Sequence, residues 1–355
     1  MSSRRPRTSR SNIMFTNAVY FPNEALYHGH TPAQLNYSCI SLVYYAFAKV
    51  TSAGHVFLSD ECADMNSPCD GVMGGLGSLM HLKTQHPHLQ VILSIGGAES
   101  SDVYPEVAAD PVRRDNFAQS VHGLIEASGL DGIDINWVYP CGAQQGADFL
   151  SLLLQVRMYL APDQYLVAAS LPAAKDLLQY FDLQQIAEYV DLINLAAYDL
   201  YGPWSSRSGH HAQLYSTSKD EPSGSGSVQY LMNKGVSAKK ILLGVPMYGR
   251  NFLGVTGPGH RFTPDVSSQS DGTIGYCHLP SRGTREQVDK RAVAAHCSGG
   301  DGGFVSYDNP ETVKIKAAFC KQKALGGLFY WSTPSDSPER KRSLIAAGFN
   351  TLHGA

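Results

Sequence analysis

Strand-like and helix-like segments alternate eight times along this chain, which predicts an α/β protein: a closed (β/α)8 TIM barrel with a small α+β insertion between strands seven and eight. Three observations lead there. Most strand-like runs are continuous apolar stretches, as strands covered on both faces of a parallel sheet must be. Helical periodicity separates most of them. The interval from Tyr248 to Gly327, nearly eighty residues, is too long for one loop and one helix.

The strands are expected at 14–20, 40–47, 90–96, 132–138, 166–171, 190–198, 241–248 and 327–331. Helices are expected at 77–85, 112–127, 147–160, 227–234, 311–323 and 339–347. The second helix opens with Asp110-Pro111, an N-cap followed by proline where its missing N–H costs nothing. The third carries Phe149, Leu152, Leu153, Val156 and Leu160 at helical spacing. Gly235 marks the end of the fourth. Residues 1–12, rich in Arg and Ser, read as a disordered tail; 13–250 and 307–355 form the barrel; the Gly-, Ser- and Pro-rich segment 251–306 forms the insertion, with short strands at 273–279 and 304–307.

Composition excludes several function classes. The 355 residues are 43% hydrophobic with a net charge of −3, so no global field favours nucleic acid or an anionic membrane. No apolar run approaches the roughly 20 residues that span a bilayer. Residues 13–21 are interrupted by Thr16 and Asn17 and read as a strand, not a signal-peptide core, so a cytoplasmic protein is expected. Seven cysteines without a C-x-x-C pair point to reduced thiols. The thirteen histidines include His210-His211 and His86/His88, but no ligand cluster at recognised spacing, so neither metal nor cofactor is expected.

The chemistry concentrates in the fourth strand. Ile133, Ile135 and Trp137 fall on one face, and Asp134, Asn136 and Val138 on the other. Pro140 ends it. This stretch resembles the signature strand of the fungal-type chitinases of glycoside hydrolase family 18, Asp-x-x-Asp-x-Asp-x-Glu followed by Tyr-Pro. Asp131, Asp134, Tyr139 and Pro140 match it; Asn136 stands at its last Asp and Val138 at its catalytic Glu. Other matches follow in family order. They are Ser94-Ile95-Gly96-Gly97, Ala197-Tyr198-Asp199 (with Ala196 where methionine is usual), Gly244 to Arg250, and Gly326 to Trp331. Tyr20-Phe21-Pro22-Asn23 resembles the end of strand one, but Glu24 follows where many relatives have tryptophan.

The resemblance implies a mechanism and its loss. In family 18 the Glu protonates the leaving oxygen while the neighbouring Asp orients the substrate's N-acetyl group, which attacks the anomeric carbon. Val138 has no proton to give, and Asn136 cannot offset a developing positive charge. The expectation is a chitinase-like barrel that has lost chitin hydrolysis. Its pocket is expected to be refitted for a small molecule, with acid/base isomerisation, cyclisation or dehydration as the natural chemistry. Glu24, Asp134 and Tyr198 are the expected catalytic groups, with Glu99, Asn136, Val138, Ala196, Asp199, Tyr248, Arg250 and Trp331 lining the pocket. Trp331 corresponds to the surface on which the reacting sugar stacks. Asp199 and Arg250 also fit a structural ion pair, and Lys175 a solvated loop lysine. Two alternatives stay open: a non-catalytic chitooligosaccharide-binding protein, and a variant inactivated in the laboratory.

Overall fold

The computed structural model describes residues 15–262 and 272–354; the expected tail at 1–12 lies outside them. Eight parallel strands form the barrel: β1 Thr16–Pro22, β2 Leu42–Val50, β3 Gln90–Gly96, β4 Gly132–Asn136, β5 Leu166–Pro172, β6 Leu192–Ala196, β7 Ile241–Pro246 and β8 Gly327–Trp331. Each pairs with its sequence neighbour, and β8 pairs with β1 to close the ring. A short strand, Val56–Leu58, lies antiparallel on the end of β2.

Strand alternation sorts the side chains into two cores. Outward-facing Ile133, Ile135 and Trp137 join the core between sheet and helices. There Trp137 stacks on Tyr104 at 5.3 Å and meets the edge of Phe149 at 6.1 Å. Phe149 comes from the helix Ala143–Tyr159, whose buried positions include Leu152, Leu153 and Val156, as its spacing predicts. The inward set includes Ala18, Tyr20, Tyr44, Ala168, Leu192 and Phe329. It fills the barrel interior, so the barrel is a packed core and not a pore.

Local signals explain the helix boundaries. Asp110 caps Pro111–Ser128 by accepting the N–H groups of Val112 (2.8 Å) and Arg113 (3.0 Å). The last helix is Leu344–His353, displaced from the expected 339–347. Asp336 accepts the Leu344 N–H (2.9 Å) and the Ser343 hydroxyl (2.7 Å), and Ser343 caps the helix, so the chain before it is turn.

Carboxylates tie the start of one strand to the next. Asp131 accepts the Val91 N–H at 2.8 Å and the Lys83 ammonium at 2.6 Å. Asp191 does the same for the Val167 N–H and Arg157, each at 2.9 Å. The first aspartate of the signature therefore sits at the foot of β4, away from the mouth.

The insertion is a five-stranded antiparallel sheet: Tyr248–Phe252, Thr273–Gly275, Gln287–Asp289, Ala294–Ser298 and Phe304–Tyr307. Its described helical pieces are the single 3-10 turns Tyr276–His278 and Gly300–Gly302. Its first strand begins inside the run expected to belong to β7, because Met247 ends the barrel pairing and Tyr248 opposes Gly275.

Glycine is required where β3 meets β4. Gly96 has φ +113°, and a Cβ there would stand 2.4 Å from the Asn136 carbonyl oxygen. Gly96→Ala should therefore lower stability by about 2 kcal/mol. Urea denaturation would read this as a lower midpoint; an unchanged midpoint would mean that the two strands can part freely.

Candidate active site

The strands deliver a polar knot to the barrel centre. Asp134, with 0% exposure, accepts the hydroxyls of Ser94 (2.7 Å) and Tyr20 (2.8 Å) on Oδ2 and the Asn194 amide (3.2 Å) on Oδ1. Asn194 also donates to the Tyr20 hydroxyl (2.9 Å) and accepts from the Tyr44 hydroxyl (2.8 Å). The Ser170 hydroxyl lies 3.1 Å from that of Tyr20. Burial raises the Asp134 carboxyl to about 6, against the lowering pull of bonds from Ser94, Tyr20, Asn136 and Asn194.

Tyr20 carries the knot towards the mouth. Its ring edge meets Trp331 at 5.2 Å, and Phe47 stacks on the same indole at 5.5 Å. Trp331 lines a cavity of about 300 Å³ with Asp199, Met247, Tyr248, Arg250, Thr273, Gly275, Ser332 and Ser335. Tyr198 packs against Tyr248 (6.1 Å) and Phe329 (6.2 Å) just behind this wall.

Asp199 and Arg250 make a two-pronged pair: Nε to Oδ1 at 2.8 Å and Nη2 to Oδ2 at 2.9 Å. The Arg250 guanidinium lies over the Tyr248 ring at 5.3 Å and over Trp204 at 5.0 Å. Burial works to raise the Asp199 carboxyl, but His211 and Arg250 outweigh it and hold it well below the usual carboxylate range. Asp199 stays ionised and cannot serve as a proton donor near neutrality.

At the end of β4, Asn136 is buried and Val138 half-buried. The Val138 N–H donates to the Ser101 hydroxyl (2.8 Å), which donates in turn to the Gly97 carbonyl (2.9 Å). Ala196 is buried at the end of β6, opposite Pro172.

Two expected residues need correction. Glu24 was expected in an apolar, aromatic setting; it is exposed on the 3-10 turn Asn23–His28. The turn swings successive side chains apart, and Asn23 takes the buried place, donating to Asp64 (2.9 Å) and Ser59 (3.0 Å). Glu99 is likewise exposed, on the 3-10 turn Ala98–Val103. Neither stands in a low-dielectric pocket.

Sequence reasoning also missed residues. Asn194, Ser170 and Tyr44 share the inward parity of β6, β5 and β2 with residues that were noticed, and carrying the alternation of β4 across to those strands would have found them. Trp204, 62% exposed, lies in the loop after β6 and has no local signal. Among the described residues, no group of three or more His, Cys, Asp or Glu could hold a metal ion, and no helix is long and apolar enough to cross a membrane.

Comparisons with known proteins agree on the architecture. The model of the glycosyl hydrolases family 18 matches residues 16–336. Chitinase 1 of Aphanocladium album is 33% identical over 363 residues, covering 95% of this chain and 85% of the relative. The catalytic domain 2 of the Ostrinia furnacalis Group II chitinase superposes with a TM-score of 0.87 at 24% identity, covering 96% of this chain and 97% of that one. The Group IV chitinase of the same insect, solved in complex with allosamidin, superposes with a TM-score of 0.85 at 24% identity over 95% of this chain and 98% of that one.

The raised Asp134 carboxyl makes a pH prediction. The folded state holds its proton up to about 6, whereas the unfolded chain loses it near 3.8, so the contribution to stability is fully present below 3.8 and is lost as pH rises to about 6. Asp134→Asn should flatten the stability profile between these limits. Denaturation midpoints of both proteins across that window would check it, and parallel profiles would contradict it.

Proposed function

The chain belongs to glycosyl hydrolase family 18, and from that premise we propose that it binds chitooligosaccharides in the barrel mouth without hydrolysing them by the family's route. What supports this is Val138, two residues past β4, at the position that the motif resemblance assigns to the family's proton donor. General acid catalysis is typically worth about 10²–10⁴-fold, and neither Asp134 nor Asp199 can take over the task. Asp134 is enclosed, with both oxygens occupied by donors. Asp199 is held as an ion by Arg250 and His211. Asn136 hydrogen-bonds but bears no charge to stabilise an oxazolinium ion.

The binding surface is retained. Trp331 offers a ring at the cavity, and Tyr248 and Trp204 flank Arg250 beside it. Flat aromatic rings beside polar groups suit a sugar, which has an apolar face and a hydroxylated edge. The other reading, a refitted acid/base enzyme, depended on carboxylates in an apolar hollow. Glu24 and Glu99 are exposed, so that reading keeps only Asp134, enclosed among its donors, and Tyr198, packed against Tyr248 and Phe329.

Isothermal titration with the chitin tetramer should give a dissociation constant on the order of micromolar, near −8 kcal/mol. A fluorogenic chitobioside should be turned over at least about 10³-fold more slowly than by the double variant Asn136→Asp/Val138→Glu. Brisk turnover by the unaltered protein would overturn the proposal. Absent binding, with a folded protein, would return the pocket to a different small molecule.

A further inference from the structure

Adjacent histidines in the loop after β6 turn in opposite directions. His210 faces the insertion: its Nδ1 lies 3.2 Å from the Ser306 hydroxyl, its Nε2 3.6 Å from Asp289, and its ring 5.5 Å from that of His296. His211 faces the cavity wall. It has 0% exposure, its ring centre is 5.2 Å from that of Tyr248, and its Nδ1 is 3.6 Å from Asp199 Oδ1.

Its backbone is satisfied: the N–H donates to Ser306 (3.3 Å) and the carbonyl accepts from Leu200 (2.9 Å). Nε2 has no hydrogen-bond partner, and Nδ1 reaches only Asp199, at a long 3.6 Å. A buried polar ring satisfied only by one long contact costs free energy, so its presence beside the Asp199–Arg250 pair calls for a use.

We propose that His211 is a positioning residue for the ligand cleft, acting through Asp199, so that its protonation weakens the grip on a neutral oligosaccharide. This rests on the carbohydrate-binding reading above. With a neutral ring, the Asp199 carboxylate is shared between Arg250 and whatever fills the cavity. With a protonated ring, Oδ1 is drawn back towards a second cation and accepts a sugar hydroxyl less well. The cluster of Asp199, Arg250 and His211 then changes from neutral to a single positive charge.

The other charges facing His211 do not cancel this. Arg250 opposes its protonation, while Asp199 and Asp308 favour it, and Asp308 is already paired with Lys316. His210 brings the charges of Asp289 and His296 only at second hand. Burial is the largest influence and holds the His211 imidazole below its usual 6.5, so the change falls on the acid side.

The test combines calorimetry with NMR. Affinity for the chitin tetramer should be constant from about pH 8 to 6.5 and fall about fivefold on the acid side of that range, the scale of an ordinary coupling between two sites. His211→Gln, which keeps a polar side chain but cannot be protonated there, should show a flat profile. The same acid-side weakening in that variant would overturn the proposal, since a merely structural role would not change the pH dependence.

The ring-proton resonance lost in His211→Gln identifies His211 without any ligand. Its titration midpoint should move down in Asp199→Asn, where the favouring anion is gone. An unmoved midpoint would equally overturn the proposal. A folded protein that binds no tetramer at any pH would instead remove the reading of the cleft, and the NMR comparison alone would then decide whether His211 and Asp199 are coupled.

Discussion

A closed parallel barrel must fill its own interior, and here a carboxylate lies in the middle of that filling. Asp134 is tolerable there because three strands besides its own send donors to it: Tyr20 from β1, Ser94 from β3 and Asn194 from β6. Any one of these bonds is worth about 1–3 kcal/mol, and an unpaired buried carboxylate would cost far more. The network therefore constrains which side chains β1, β3, β5 and β6 can present inward. It also ties the centre of the barrel to the mouth, since Tyr20 bonds the carboxylate with its hydroxyl and supports Trp331 with its ring edge.

The mouth is built by a different logic. Its wall between β6, β7 and the insertion is held by the Asp199–Arg250 pair, with Tyr248 and Trp204 beside the guanidinium. The antiparallel sheet begins at Tyr248, directly after β7, so insertion and wall share residues. That continuity makes the insertion part of the cleft and not an appended module. The exposed carboxylates at Glu24 and Glu99 take no part in this wall.

Much of the fold was legible because burial on both faces writes long apolar runs into parallel strands. The bounds of β3 and β8 follow directly from such runs. The run at 190–198 misled at both ends. The backbone leaves the ladder where the Ala197 N–H turns back to Leu195 and Asp199 adopts a left-handed φ of +57°. Asp134 and Trp331 were legible because they interrupt or end their strands with unmistakable chemistry. Asn194, Ser170 and Tyr44 were legible only as inward-facing positions, because their roles depend on partners 60 to 174 residues away. Glu24 was misread because a single helical turn decides which of two neighbours faces inward, and only the three-dimensional path selects Asn23.

Ser101 holds the end of β4 through the backbone N–H of residue 138 and takes nothing from its side chain. The strand tip is thus anchored independently of what projects from it. Such a fastening makes the position an interchangeable socket: exchanging the side chain at 138 leaves the bond to Ser101 in place. A strand tip fastened through its main chain keeps its anchor whichever side chain it carries.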